Sequence, residues 1–340
     1  MNRTVALLTL AVATALPTVV RAAAQAKPPP AKLRAWHGPY HGWDAAQFLG
    51  NGSVEVVIVP TIGRVMQFKF AADADGPFWE NRTLDGKSPN AKTNLWGNFG
   101  GDKTWPAPQS EWSKLTPRAW PPPPAFDSMP AASLDIETTP EGPVAHLVSA
   151  VDPYFGIRTH RRISLDAVQP VLTIRTTYEK VSGEPSQVAI WIITQLKDPA
   201  GVFAPVPDHT IFPSRFSLPI TNVPPSLVAA RDLLSIRRDP TTAFKIGNDA
   251  GTLIWVGEKS VLRIDSPRVK GADYTHGGNS AEIYTNPDAA PYVELELLGP
   301  LHTLKVGEQI ERTSTYTLSR RTQPTAEGEA RLLLGRWLGK

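Results

Sequence analysis

A chain of 340 residues without a single cysteine excludes a disulfide-stapled scaffold, thiolate catalysis and a cysteine-ligated metal. Its 35 basic and 32 acidic residues nearly cancel, and no long Lys/Arg run supplies the electrostatic footprint of a nucleic-acid binder. Thirty-four prolines and twenty-five glycines among short β-rich runs suit a sheet protein with many turns, and ten tryptophans are available for a core or for stacking on sugar rings.

In chain order, the first segment reads as an address. Arg3 precedes an apolar run at 5–20, and Ala24-Gln25-Ala26 offers a small-x-small cleavage site, the order of a secretory signal. The alternative is an anchor helix, but 16 residues interrupted by Pro17 and followed by Arg21 are short for a bilayer span. Cleavage near Ala26 predicts a periplasmic or secreted protein, and no later stretch is apolar enough to give the mature chain a membrane span. Removing 1–26 takes away Arg3 and Arg21 and no acid, which leaves 33 basic against 32 acidic residues, about +1.

Residues 27–44 read as a lead-in that opens on a proline run. Short alternating runs then recur at 54–59, 65–70, 133–138, 144–151, 157–165, 171–178, 188–195, 252–257, 280–285, 291–298 and 309–318. Strands without intervening helical patterns predict one mostly β domain over 45–322, a large antiparallel β-sandwich with few short helices. A helical tail is expected over 323–340. The stretch 96–130, rich in Trp, Pro and Gly and with little alternation, reads as a long loop of the kind that is often functional.

Three places offer chemistry. In the run from Tyr292 to Leu298, Val293, Leu295 and Leu297 point one way, while Tyr292, Glu294 and Glu296 make a carboxylate ladder on the other face. Two acids on one sheet face suit a general base and a polar clamp for a sugar hydroxyl, and equally a solvated outer face. At 157–165, Arg158, His160 and Arg162 share a side, so a basic ladder is available to meet the acidic one or to form surface cross-strand pairs. Trp191 and Gln195 share a face of the apolar run 188–195, and the Gly100-Gly101 turn introduces Asn98, Asp102, Lys103, Trp105 and Gln109, a polar and aromatic mixture suited to gripping a polyhydroxylated ring. No Gly-Lys-Ser/Thr phosphate loop, Gly-x-Ser-x-Gly elbow or metal-ligand spacing occurs, and the pattern asks for no metal or cofactor.

With these segments laid out, the chain resembles a bacterial family of unknown function within the galactose-mutarotase-like superfamily. The resemblance rests on Asn51–Phe68, the run Gly-Gly-Asp-Lys-x-Trp-Pro-Ala-Pro-Gln at 100–109 with Asn98, the Trp-Pro stretch at 120–124, Trp191–Gln195, Ile283-Tyr284-Thr285, and Tyr292–Pro300 with Gly307-Glu308. It implies a twisted β-supersandwich whose concave face receives a small-molecule sugar or glycan. In the superfamily's aldose 1-epimerases a glutamate on a late strand takes the proton of the anomeric hydroxyl and a histidine protonates the ring oxygen. Glu294 or Glu296 resembles that base, and Arg64 resembles a substrate-contacting arginine. The chain departs where those enzymes carry a mid-chain histidine, because Trp191–Gln195 holds none; His160 or His276 is left to supply one from another strand. Three readings follow: an exported carbohydrate-binding protein, an aldose 1-epimerase-like isomerase, and an accessory or interaction domain.

Overall fold

The computed structural model describes residues 33–89, 96–220 and 222–337. The expected secretory signal, 1–26, lies outside the described residues. The strands in chain order are β1 (Arg34–Tyr40), β2 (Trp43–Gly50), β3 (Val54–Val59), β4 (Arg64–Phe70), β5 (Asp102–Ala107), β6 (Ser133–Thr139) and β7 (Gly142–Val148). They continue with β8 (Ile157–Leu165), β9 (Val171–Lys180), β10 (Ser186–Lys197), β11 (Gly201–Pro205), β12 (Val228–Ala229), β13 (Leu233–Ile236) and β14 (Phe244–Asn248). The last are β15 (Thr252–Val256), β16 (Ser260–Asp265), β17 (Ala281–Thr285), β18 (Tyr292–Leu298), β19 (His302–Leu304) and β20 (Gln309–Arg320). Helices are short, α1 (Trp112–Leu115) and α2 (Pro124–Asp127), apart from α3 (Ala326–Trp337).

Two antiparallel sheets result. The first runs β1-β2-β3-β4-β5-β10-β18-β17-β14, with β19 paired to β10, and the second runs β12-β13-β11-β15-β16-β20-β9-β8-β7-β6. Alternation decides which face of each strand is buried between them. Val293, Leu295 and Leu297 of β18, Ile283 of β17 and Ile246 of β14 pack with Ile163, Ile174, Leu262 and Leu318 of the second sheet. This assigns the inward face as expected, and turns Tyr292, Glu294 and Glu296 to the opposite side of the first sheet. The core is close-packed, so truncating Leu295 to Ala would cost roughly 2–5 kcal/mol.

The stretch expected to be a loop contains a strand. All six residues of β5 are buried, so it shows no hydrophobic alternation, and Pro106 reads as a breaker. It pairs with β10 over Ala107↔Ala189 to Asp102↔Thr194, but with β4 only at Val65↔Asp102. The Pro106 carbonyl accepts from Trp112 Nε1 at 2.7 Å, on the edge turned away from β10, so the missing proline N–H costs no ladder bond there. Similarly, the second half of the expected lead-in forms β1 and the start of β2, paired along Arg34↔Gly50 to Tyr40↔Trp43.

The helical tail has a simple origin. Thr325 Oγ1 accepts from Gly328 N at 3.0 Å and caps α3. Ala326, Ala330, Leu333 and Leu334 then fall on one side and pack on Phe203, Ile254 and Val256 of the second sheet. Among the described residues no helix is long and apolar enough to cross a membrane.

Candidate functional site

Directly opposed residues of antiparallel strands share a face, so the register of five strands assembles the site. Trp105 faces Trp191 across β5 and β10, Gln195 faces Glu294 across β10 and β18, and Glu282 faces Glu296 and Tyr284 faces Glu294 across β17 and β18. Lys245 of β14 stands beside Tyr284. This surface floors an open cleft of about 670 Å³. One wall is Trp96, Gln109 and Trp120; the other is Ser217–Ile220, His276 and Asn286.

The aromatic wall is fixed from behind. Trp105 makes edge-to-face contacts with Trp96, Trp112, Trp120 and Trp191, with ring centroids 5.5–6.1 Å apart. Asp127 at the end of α2 accepts from Trp105 Nε1 at 2.9 Å, from Trp96 Nε1 at 3.1 Å and from Arg64 NH2 at 2.8 Å. Trp120 is 45% exposed at the rim and leaves ring surface for a ligand.

The floor carries two polar groups of opposite make-up. In the first, Gln195 Nε2 donates to Glu294 Oε1 at 2.9 Å and Lys103 Nζ lies 3.6 Å from the same oxygen. Burial pulls the Lys103 amine down to about 8, with Glu294 opposing the shift. Its Nζ is 4.9 Å from the centre of the Trp105 ring. In the second, Lys245 Nζ sits 2.8 Å from Glu282 Oε2 and 2.8 Å from Glu296 Oε2, 4.6 Å above the Trp191 ring. Trp191 Nε1 also donates to Glu296 Oε2, at 2.7 Å.

Glu282 is further held by His276 Nδ1 at 2.8 Å and Asn279 Nδ2 at 2.7 Å. Burial acts to raise its pKa, but Lys245 and His276 outweigh it and hold the carboxyl well below the usual range. An ionised Glu282 only accepts, so His276 Nδ1 is the donor and Nε2 is the nitrogen left for the cleft. Glu296 is displaced the other way: burial, with Glu282 and Glu294 nearby, pushes it up to about 8 against the pull of Lys245.

Of the residues expected from sequence, Glu294, Glu296, Trp105, Trp191, Gln109 and Tyr292 line the cleft. Lys103 and Gln195 are buried beneath it and hold Glu294, and Asn98 acts on the Tyr292 hydroxyl, opposing the upward push of burial. Three lie elsewhere. Arg64 is fully buried, donating to Asp127 and to the Gly100 carbonyl, so it braces the tryptophan wall from beneath the surface. Asp102 points between the sheets, where it accepts from Arg161, Thr194 and Tyr316. His160 sits on the outer face of the second sheet with His146 and Glu179. The basic ladder of β8 therefore never meets the acidic one; Arg158 and Arg162 pair with Glu179 and Glu137 instead.

Lys245, Glu282 and Asp127 escaped the sequence reading. Glu282 and Tyr284 alternate as Glu294 and Glu296 do, which was a usable signal. Lys245 lies in a five-residue strand too short to show a period, and Asp127 follows four prolines.

No family model matches the chain, and no curated protein matches it. Solved structures do. A putative aldose 1-epimerase from Klebsiella pneumoniae superposes with a TM-score of 0.54 at 9% identity, over 89% of this chain and 86% of that one. A galactose mutarotase-like protein from Lactobacillus casei gives 0.51 at 10% identity, over 81% and 100%. A TPR-domain containing protein from Parabacteroides distasonis gives 0.55 at 16% identity over 82% of this chain, which spans only 47% of that protein. Two packed antiparallel sheets in this order, matched at such low identity over most of the chain, establish an architecture: the chain has the galactose mutarotase-like fold.

Proposed function

We propose that the cleft binds a carbohydrate and that the protein is an exported sugar-binding protein. The observation that carries this reading is the composition of one face. Tryptophan and tyrosine rings, which match the C–H faces of a pyranose, border carboxyl groups, which match its hydroxyls. A volume of about 670 Å³ lies within the range of small-molecule sites. The neighbours named for mutarotase or aldose 1-epimerase share the fold and point to the same ligand class. An open, lined cleft also speaks against the reading as a flat interaction surface.

A glycan array probed with the full chain, alongside Trp191→Ala and Glu294→Ala, tests the proposal. Retention of a defined set of glycans that both substitutions abolish is expected; no retention of any glycan at millimolar concentration would remove the reading. Export is tested by sequencing the amino terminus of protein recovered from the periplasm or medium, where processing near Ala26 is expected.

A second reading, opening and reclosing of the sugar ring as in an aldose 1-epimerase, is favoured by one observation. Glu294 and Glu296 stand two residues apart on the same face and are held by different partners.

A further inference from the structure

The outer face of the second sheet carries a row of four side chains that neither the cleft nor the core uses: Glu137 on β6, His146 on β7, His160 on β8 and Glu179 on β9. His146 Nδ1 lies 3.3 Å from Glu137 Oε1, and His160 Nε2 lies 2.9 Å from Glu179 Oε2. The two inner nitrogens, His146 Nε2 and His160 Nδ1, stand 3.2 Å apart. We propose that these inner nitrogens hold a divalent transition-metal ion of the nickel, copper and zinc group, at a site separate from the sugar cleft and independent of it.

Tautomers decide what lies between the rings. Arg162 grips Glu137 with both terminal nitrogens, at 2.7 and 2.6 Å, and Arg158 donates to Glu179 at 3.4 Å. Carboxyl groups paired with guanidinium are anions, and an anion only accepts hydrogen bonds. Each histidine therefore turns an N–H outward to its carboxylate and keeps a lone pair on its inner nitrogen. Two lone pairs facing each other at this distance repel unless positive charge lies between them. A proton supplies it by making one ring an imidazolium, whereas a metal ion does so with both rings neutral. A carboxylate behind each ring is also what fixes the tautomer of metal-bound histidines and raises their basicity.

Distance, access and charge favour the metal. Zinc–imidazole bonds of about 2.1 Å that subtend about 100° set their nitrogens about 3.2 Å apart, which is the separation found. The two histidine side chains are 25% and 26% exposed, so an ion reaches them from solvent. Among the described residues of this face, Asp135, Glu137, Glu179 and Glu311 stand against Arg158, Arg162 and Arg175, an excess of one negative charge around a neutral pair. Asp135 is directly opposite His146 across β6 and β7. No three His, Asp or Glu among the described residues converge as a metal-binding group, so water or a donor from outside the chain completes the coordination.

Ligand spacing along the sequence could not show this pair. The histidines belong to neighbouring strands and are not direct opposites, since His146 faces Arg162 and His160 faces Val148. An ion between them cross-links β7 to β8 and so fastens the β6–β7 hairpin, which ends the second sheet, to its neighbour.

Calorimetric titration of the full chain with zinc chloride and with copper chloride tests the site. One equivalent of either ion is expected to bind with micromolar affinity, weakened at least about tenfold by His146→Gln and by His160→Gln. His302→Gln, on the exposed strand β19, should leave it unchanged. Pulsed electron paramagnetic resonance of the copper-loaded wild type needs no variant and counts the imidazoles on the ion, with two expected. No binding of either ion at millimolar concentration, which means a pair sharing a proton alone, overturns the proposal. So does copper bound by fewer than two imidazoles, or binding that either cluster substitution spares, the marks of an adventitious ion only.

Discussion

Glu282 and Glu296 share one ammonium, and the asymmetry of their remaining partners has a consequence for stability. Below about 4.5 both the folded and the unfolded chain hold the Glu296 proton; from there to about 8 only the folded chain does. The folded state binds more protons in that window, so this group's contribution to stability is fully present at the acid end and is lost as pH rises toward 8. Denaturant titrations across pH 5–8 should show wild type losing stability relative to Glu296→Gln, which has no proton to give up; parallel curves would contradict the assignment. Asp127 makes a different prediction. Asp127→Asn leaves the fully buried Arg64 guanidinium without its counter-charge, at a cost of roughly 3–5 kcal/mol in denaturant unfolding. At this scale the sequence was only partly informative. Alternation placed Glu294, Glu296 and Trp191 on their faces, but it could not show that Arg64 and Asp102 find buried partners 63 and 59 residues away. Long-range pairing leaves no local trace.

Among elements, β5 shows why the loop reading failed. A strand buried on both faces loses the period of two, and its Gly-Gly entry and Pro106 look like punctuation. The entry is nonetheless structural. Gly100 has φ +89°, and a Cβ there would stand 2.2 Å from the Trp79 carbonyl oxygen. Gly100→Ala should therefore destabilise the protein by about 2 kcal/mol or more, read by thermal unfolding, and should disturb Lys103 and Trp105 downstream. A fall of less than about 0.5 kcal/mol would show that the turn tolerates a side chain. Where one face is apolar and the other polar, as in β8 and β18, the same reasoning recovered the strand and its faces. The edge strand β1 was missed because a proline-rich start masked it.

For the whole molecule, composition and strand spacing sufficed for the two-sheet sandwich, which the solved structures match. They did not suffice for the cleft, because it is built from β5, β10, β14, β17 and β18, strands separated by up to 190 residues and joined only by sheet order. Sheet order is what brings Trp105, Lys245, Glu282 and Glu294 to one surface. Whether this surface receives a sugar is decided by calorimetric titration with monosaccharides to trisaccharides. Saturable binding that Trp191→Ala and Glu294→Ala each weaken at least about tenfold, and that His160→Asn on the opposite sheet leaves unchanged, is the predicted result. Absence of binding across the series, or binding that His160→Asn removes and the cleft substitutions spare, would contradict it.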